Sequence, residues 1–349
     1  MKKVFLVAAV ILTIGLFFYD SLLAAEIEED GSDGALNWLR EHVTIGGTLE
    51  IEAWWTEDFE GVSDNGVDLA TSELEIEAEV TGWAVGNVVI EWDTDEDQFR
   101  IDEATAILGP TEDFPVYSQF GFFEVPFGVY DGNTVTDPLT EEVFKIKEVA
   151  VMAGMDEAGF YTSVYFFNGD ANEGNGNNIF NQFGANFGYR SKAESYKLSW
   201  NIGFVNSLTS SETLSEEYDM DAGYVGGLTA QLGLRVAGCV FLAEYVGAFE
   251  NYQPLDEEEE SAKPNSYHLE AGYNLELFEF PLLLSVAYSQ SSDLVDIVPR
   301  SRLSTVLWIG LMDEVNLNFE YTQDRDYGRS SGGSGRTADL YTIQVSYEF

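Results

Sequence analysis

Carboxylates recur at every second position in three neighbouring stretches of the chain. Glu50 and Glu52 form the first, Glu73, Glu75, Glu77 and Glu79 the second, and Glu91 and Asp93 the third. Like charges held this closely repel one another, gather counterions and raise the local cation concentration. Where such rows line a passage, they favour cations; where they merely face water, they solvate a surface. Catalysis by paired carboxylates needs an apolar pocket that pushes the two pKa values apart, and nothing in the sequence marks one.

Basic residues are few: 16 Lys and Arg stand against 62 Asp and Glu, for a formal net charge of −46. This balance repels nucleic acid and anionic surfaces. Arg100, Lys145, Lys147 and Arg302 are spaced so that they can share the acidic face. They either set up a transverse field against the carboxylates or neutralise their neighbours. An anion-selective channel would need a Lys/Arg ladder where this chain carries Glu.

The remaining catalytic candidates are weak. His42 and His268 are the 2 histidines, which excludes a His-rich metal site. A Ser–His nucleophile needs a third, orienting group. His268 does alternate with Ser266 and Glu270, but a wet strand face looks the same. No Gly-rich phosphate loop opens a helix, and the Gly-Asn-rich stretch 174–178 reads as a flexible loop. Neither an enzyme nor a cofactor is expected. The single cysteine, Cys239, leaves no internal disulfide framework.

The acidic rows imply the elements that carry them. Leu49, Ile51 and Ala53 alternate with the first carboxylates, Leu74, Ile76, Ala78 and Val80 with the second, and Val88, Ile90 and Trp92 with the third. A period of two places the two sets on opposite faces of β-strands. A helical period would smear both around the axis. Similar segments continue to the end, where Tyr341, Ile343, Val345, Tyr347 and Phe349 alternate strictly. Mean hydropathy is only −0.10, as expected when lipid-facing apolar residues alternate with polar ones in a lumen. The 14% aromatic content fits girdles at two membrane interfaces.

The expected fold is all-β: a transmembrane antiparallel β-barrel of about 16 strands, spanning residues 44–349. Short links are expected at 81–84, 110–114, 156–159, 191–195, 235–238, 276–280 and 312–314. Long ones are expected at 56–70, 126–144, 169–181, 207–223, 250–264, 290–299 and 324–337, with 94–98 breaking the rule. Short periplasmic turns and long outer loops are the pattern of such barrels. Lys2 and Lys3, an apolar run from Val4 to Phe18, and Ala24-Ala25 read as an export signal over 1–25. Residues 26–43 read as an acidic start followed by a short amphipathic helix at the periplasmic mouth.

One link stands out. Pro126-Phe127-Gly128 opens it, Asp131 follows, and Asp137-Pro138-Leu139-Thr140 closes it. Together with Asp102-Glu103-Ala104 and Phe167-Asn168-Gly169-Asp170, these residues resemble the LbtU-type siderophore porin family, a Gram-negative outer-membrane family. The resemblance covers residues 44–349. It implies a passive porin whose third outer loop narrows the channel, with a ferric siderophore as a candidate solute. An energised receptor is not expected, because those barrels are 22-stranded with a plugged lumen. The expected surroundings are bacterial outer-membrane lipids and a small-molecule solute, and a homotrimer is one assembly such a barrel can adopt. The competing reading is a structural or adhesive barrel acting through its long loops.

Overall fold

The computed structural model describes residues 33–94, 98–110, 114–169, 181–191, 193, 195–217, 224–252 and 261–349. The expected export signal over 1–25, most of the acidic start and Asp170 lie outside them. A short helix, α1 (Asp33–His42), abuts the base of the first two strands. Alternation then governs the chain. The first strands are β1 (Val43–Glu57), β2 (Ser63–Thr81), β3 (Ala84–Asp93), β4 (Gln98–Leu108), β5 (Val116–Glu124), β6 (Lys147–Glu157), β7 (Phe160–Phe167) and β8 (Gln182–Arg190). The second half comprises β9 (Tyr196–Val205), β10 (Gly227–Val236), β11 (Cys239–Ala248), β12 (Asn265–Leu277), β13 (Phe280–Ser292), β14 (Ser301–Met312), β15 (Val315–Arg325) and β16 (Thr337–Glu348). Each strand pairs antiparallel with its chain neighbours, and β1 pairs with β16, closing one barrel of sixteen strands.

Closure leaves no sheet edge unpaired, which a membrane requires because hydrocarbon offers no hydrogen-bond partners. The outer face is apolar and exposed: Ile45, Leu74, Val149, Phe166, Ile202, Val286 and Phe319 all point away from the lumen. Exposed apolar residues on a closed barrel meet lipid, and a barrel of this build belongs in a bacterial outer membrane. Among the described residues no helix is long and apolar enough to cross a bilayer; the strands cross it.

Tight turns sit at the end that carries α1 and the C-terminus. Ala158-Gly159 (φ 55° and 88°) and Ala237-Gly238 (φ 50° and 83°) place both central residues at positive φ. That is the two-residue hairpin geometry whose twist matches the flanking strands, and glycine accepts it without a Cβ penalty. The opposite end carries the long links, with one correction. The expected long loop over 56–70 is a five-residue-range link, 58–62, because β2 already begins at Ser63. The sequence masks this through a bulge: Ile51 pairs with Leu69 and Glu50 with Thr71, so Ala70 is extra. The bulge resets the alternation between Asp68 and Glu73 and hides the strand from a simple period-two reading.

The closing seam depends on a missing side chain. Gly47 exchanges both backbone hydrogen bonds with Phe349, each 3.1 Å. A Cβ at Gly47 would stand 2.7 Å from the Phe349 ring and 2.5 Å from the Glu73 carbonyl oxygen. We therefore expect Gly47→Val to cost roughly 1–3 kcal/mol through overpacking. Loss of the compact, heat-shifted band on a denaturing gel checks this; a parent-like fraction of folded barrel would contradict it.

Candidate functional site: a loop held across the lumen

The link 125–146 joins β5 to β6 and turns inward. Its apolar residues decide where it lies. Val125, Phe127, Leu139, Val143, Phe144 and Ile146 are fully or almost fully buried. They pack with Tyr165 and Phe167 of β7, Val205 of β9 and Val246 of β11, and beneath Leu208, Leu214, Tyr252, Leu294 and Val298 from other outer loops. Each large apolar side chain buried this way contributes about 1.5–3 kcal/mol. Leu139–Phe144 forms one short helix, α2, and Glu212–Glu217 forms another, α3, resting on it. Together they fill the side of the lumen bounded by β5–β13.

The rest of the loop is backbone without a ladder, and every enclosed N–H needs an acceptor. The far wall supplies carboxylates. On β11, Glu244 Oε1 accepts the N–H groups of Val129 (3.0 Å) and Tyr130 (3.4 Å), while its Oε2 accepts the Thr140 hydroxyl (3.2 Å). On β12, Glu270 accepts the Asn133 backbone N–H (3.0 Å) and side-chain amide (2.6 Å). On β15, Glu320 accepts the N–H groups of Val135 (2.6 Å) and Thr136 (3.0 Å). Arg302 on β14 completes the set. It donates to the Asp137 carbonyl (2.9 Å) and to Glu142 of α2 (2.8 Å), and is itself held by Asp324 (2.9 and 3.0 Å). Hydrogen bonds to a charged acceptor contribute about 1.5–3 kcal/mol each. The loop thus spans the lumen from β5 to β15.

Pro126, Phe127, Gly128, Asp131, Asp137, Pro138, Leu139 and Thr140 all lie on this crossing segment. Gly128 adopts φ 92°, and the Tyr130 ring covers it so closely that a Cβ would stand 2.5 Å away. Pro138 presents its carbonyl to the N–H groups of Glu141 and Glu142, both at 3.0 Å, which starts α2. Sequence reasoning missed Glu244 and Glu320 as anchors and treated Glu270 only as part of a polar row. A signal existed for Glu244: it is a lone carboxylate on a face it shares with Leu242 and Val246.

The acidic rows lie on the other side of the lumen. Glu52 accepts from Gln344 of β16 (2.8 Å) and Glu50 from Thr71 of β2 (2.6 Å). Glu73, Glu75 and Glu77 sit opposite Thr48, Gly46 and Thr44, on the same face, and Glu73 also faces Glu91 across β2–β3. Glu79 is the last carboxylate before the turn, beside a bulge. Of their partners in alternation, Leu74 is exposed on the outer face, Ala78 is buried, and Val80 falls in the register shift between Glu79 and Thr81. Between this wall and the loop tip lies a cavity of about 770 Å³, lined by Glu52, Trp54, Asp68, Val135, Thr136 and Thr342 among others.

The four basic residues singled out above each form an ion pair. Arg100 bridges Glu91 (2.8 Å) and Asp93 (3.5 Å), Lys147 meets Asp102 (2.6 Å), and Lys145 meets Glu141 (2.6 Å). Arg302 is held between Asp324 and Glu142. Each of these four therefore stands next to a carboxylate partner. His268 Nδ1 lies 2.9 Å from Ser289 Oγ, and its Nε2 lies 3.7 Å from Glu270 Oε2. This looks like a Ser–His–carboxylate set, but all three are buried beneath the loop and Glu270 is occupied by Asn133 and Ser285. They brace the anchor wall.

A closed sixteen-stranded barrel, apolar outside, with its third outer link folded into the lumen, has the fold of an outer-membrane porin. Solved structures agree. An anion-selective porin from Comamonas acidovorans superposes with a TM-score of 0.62 at 12% identity, covering 88% of this chain and 99% of that one. OprB of Pseudomonas putida gives 0.63 at 10% identity, covering 92% and 97%. The outer-membrane channel DcaP of Acinetobacter baumannii gives 0.61 at 12%, covering 88% and 97%. In sequence, the chain is 24% identical to a UPF0422 protein of Coxiella burnetii over 84% of its own length and 66% of that protein. It is 22% identical to a UPF0422 protein of Legionella pneumophila strain Lens over 88% and 66%. The chain therefore spans just under two thirds of the length of these relatives. No family profile matches it.

Two outcomes follow from the anchored loop. Replacing Glu244, Glu270 and Glu320 together by Ala strands the loop's N–H groups, and single-channel conductance should rise severalfold; an unchanged conductance would contradict the anchoring. The second concerns pH. Asp137 meets lumen water, yet enclosure by wall and loop, followed by repulsion from Glu141, pushes its carboxyl up to about 6. Its folded pKa lies above its unfolded one, so its stabilising contribution is full below about pH 4 and is lost as pH rises through about 6. Asp137→Asn should therefore melt at a higher temperature than the parent at pH 7.5, with the two midpoints converging near pH 4. A gap that does not change with pH would contradict this.

Proposed function

We propose that this protein is a passive diffusion channel of the bacterial outer membrane, with a passage that runs along its acidic wall and favours cations. The observation that carries this reading is the division of the lumen. The loops fill the side over β5–β13, while the cavity lies against Glu52, Asp68 and their acidic neighbours on β1–β3. Arg100, Lys145, Lys147 and Arg302 are tied into ion pairs and offer the passage no opposing basic face. The porin from Comamonas acidovorans is described as anion-selective, so a shared fold does not set the sign of the ion admitted; the lining does. Residues 1–25 serve as the export signal, the short turns face the periplasm, and a homotrimer is the proposed assembly.

A small iron chelate is the proposed solute of the loop-narrowed passage. It rests on the resemblance of Pro126-Phe127-Gly128 and Asp137-Pro138-Leu139-Thr140 to the siderophore porins. An acidic lining repels anionic chelates, so a neutral or cationic one fits.

In a KCl gradient the refolded protein should show a cation-selective reversal potential. Glu75→Gln with Glu77→Gln should reduce it, most at low salt, where the Debye length reaches roughly 30 Å. Anion selectivity in the parent overturns the reading. For the solute, loss of the gene should slow growth on a ferric siderophore more than growth on an uncharged sugar of similar size. Equal slowing, or none, removes the iron proposal and leaves the general channel.

A further inference from the structure

The cavity at the loop tip combines features that suit one class of solute. Its floor is Trp54, on the inner face of β1. The indole packs against Gly66 of β2, where a Cβ would stand 2.7 Å from the ring, and the same side chain lines the cavity. The indole N–H donates to Asp68, which fixes the ring and the carboxylate together. Glu52 sits beside them on the same strand, with one oxygen held by Gln344. No Lys or Arg among the described residues forms an ion pair with Glu52 or Asp68.

The opposite side of the cavity is the loop tip. Val135 and Thr136 give their backbone N–H groups to Glu320, which leaves their side chains to line the cavity together with Thr342 of β16. An indole, two carboxylates with no Lys or Arg ion pair among the described residues, and hydroxyls together form a site for a hydrogen-bond donor that carries positive charge.

We propose that this cavity is a binding subsite for organic cations bearing an amine or guanidine group on a short carbon chain. The charged group sits between Glu52 and Asp68, and the carbon stem or guanidinium plane lies on Trp54. Cation–π attraction and charge-assisted hydrogen bonds act together there. An inorganic cation would use the carboxylates but not the indole. The proposal rests on the channel reading above and names its preferred solute.

Ion-current recordings of the refolded full chain in a planar bilayer test it, with 1,5-diaminopentane as the probe and mannitol as the uncharged control. The probe should produce concentration-dependent blockades and mannitol none. Trp54→Leu should weaken the blockade about tenfold and Trp54→Phe less, while Asp68→Asn should also weaken it. A cation-selective KCl potential without blockade, or a blockade as strong in Trp54→Leu as in the parent, overturns the subsite and leaves the channel reading standing. Failure to conduct ions at all sinks the channel reading itself. Heat-shifted gel mobility shows that each variant is folded.

Discussion

Backbone N–H groups carried into a barrel's interior must find acceptors, and in this protein the acceptors are carboxylates on the opposite wall. Glu244 accepts three groups from the loop and Glu270 and Glu320 two each, while Arg302 donates to a loop carbonyl. Everything else about the lumen depends on this crossing. Without the carboxylates, the segment 129–136 would have water as its only partner and no reason to hold one position. With them, it is tied to three strands of the far wall.

The crossing separates two kinds of interior. Behind it, apolar residues of the loop and of the other outer links pack into a dry cluster. In front of it, the wall of β1–β3 turns its carboxylates to the lumen, and the nearby basic residues are locally paired. Acidic residues therefore stand in two settings. On β11, β12 and β15 they are structural acceptors with their charge offset by N–H donors. On β1–β3 they face the lumen beside strand neighbours, Glu50 accepting from Thr71, Glu52 from Gln344, and Glu91 and Asp93 paired with Arg100. A high acidic count alone could not tell these apart.

Much of the fold was legible in the sequence because a barrel strand writes its two faces in alternate residues. Glu73 to Val80 is one such record, and Tyr341 to Phe349 another. The rule failed where an extra residue entered: Ala70 shifts the parity, and β2 therefore begins at Ser63 inside what reads as a loop. An inward loop was implied by the family resemblance at Pro126-Phe127-Gly128, but its anchors were not legible. Val129 and Glu244 are 115 residues apart, and no local pattern links them. The same holds for Arg302, whose role depends on Asp137 and Glu142, far away in sequence.

Hydrogen exchange of the loop amides tests the crossing most directly. After correction for intrinsic rates, the N–H groups of Val129, Tyr130, Asn133, Val135 and Thr136 should exchange far more slowly than those of an outer link such as 58–62, and Glu244→Ala should release Val129 and Tyr130 first. Exchange of all five at the rate of an open loop in the parent protein would contradict the account.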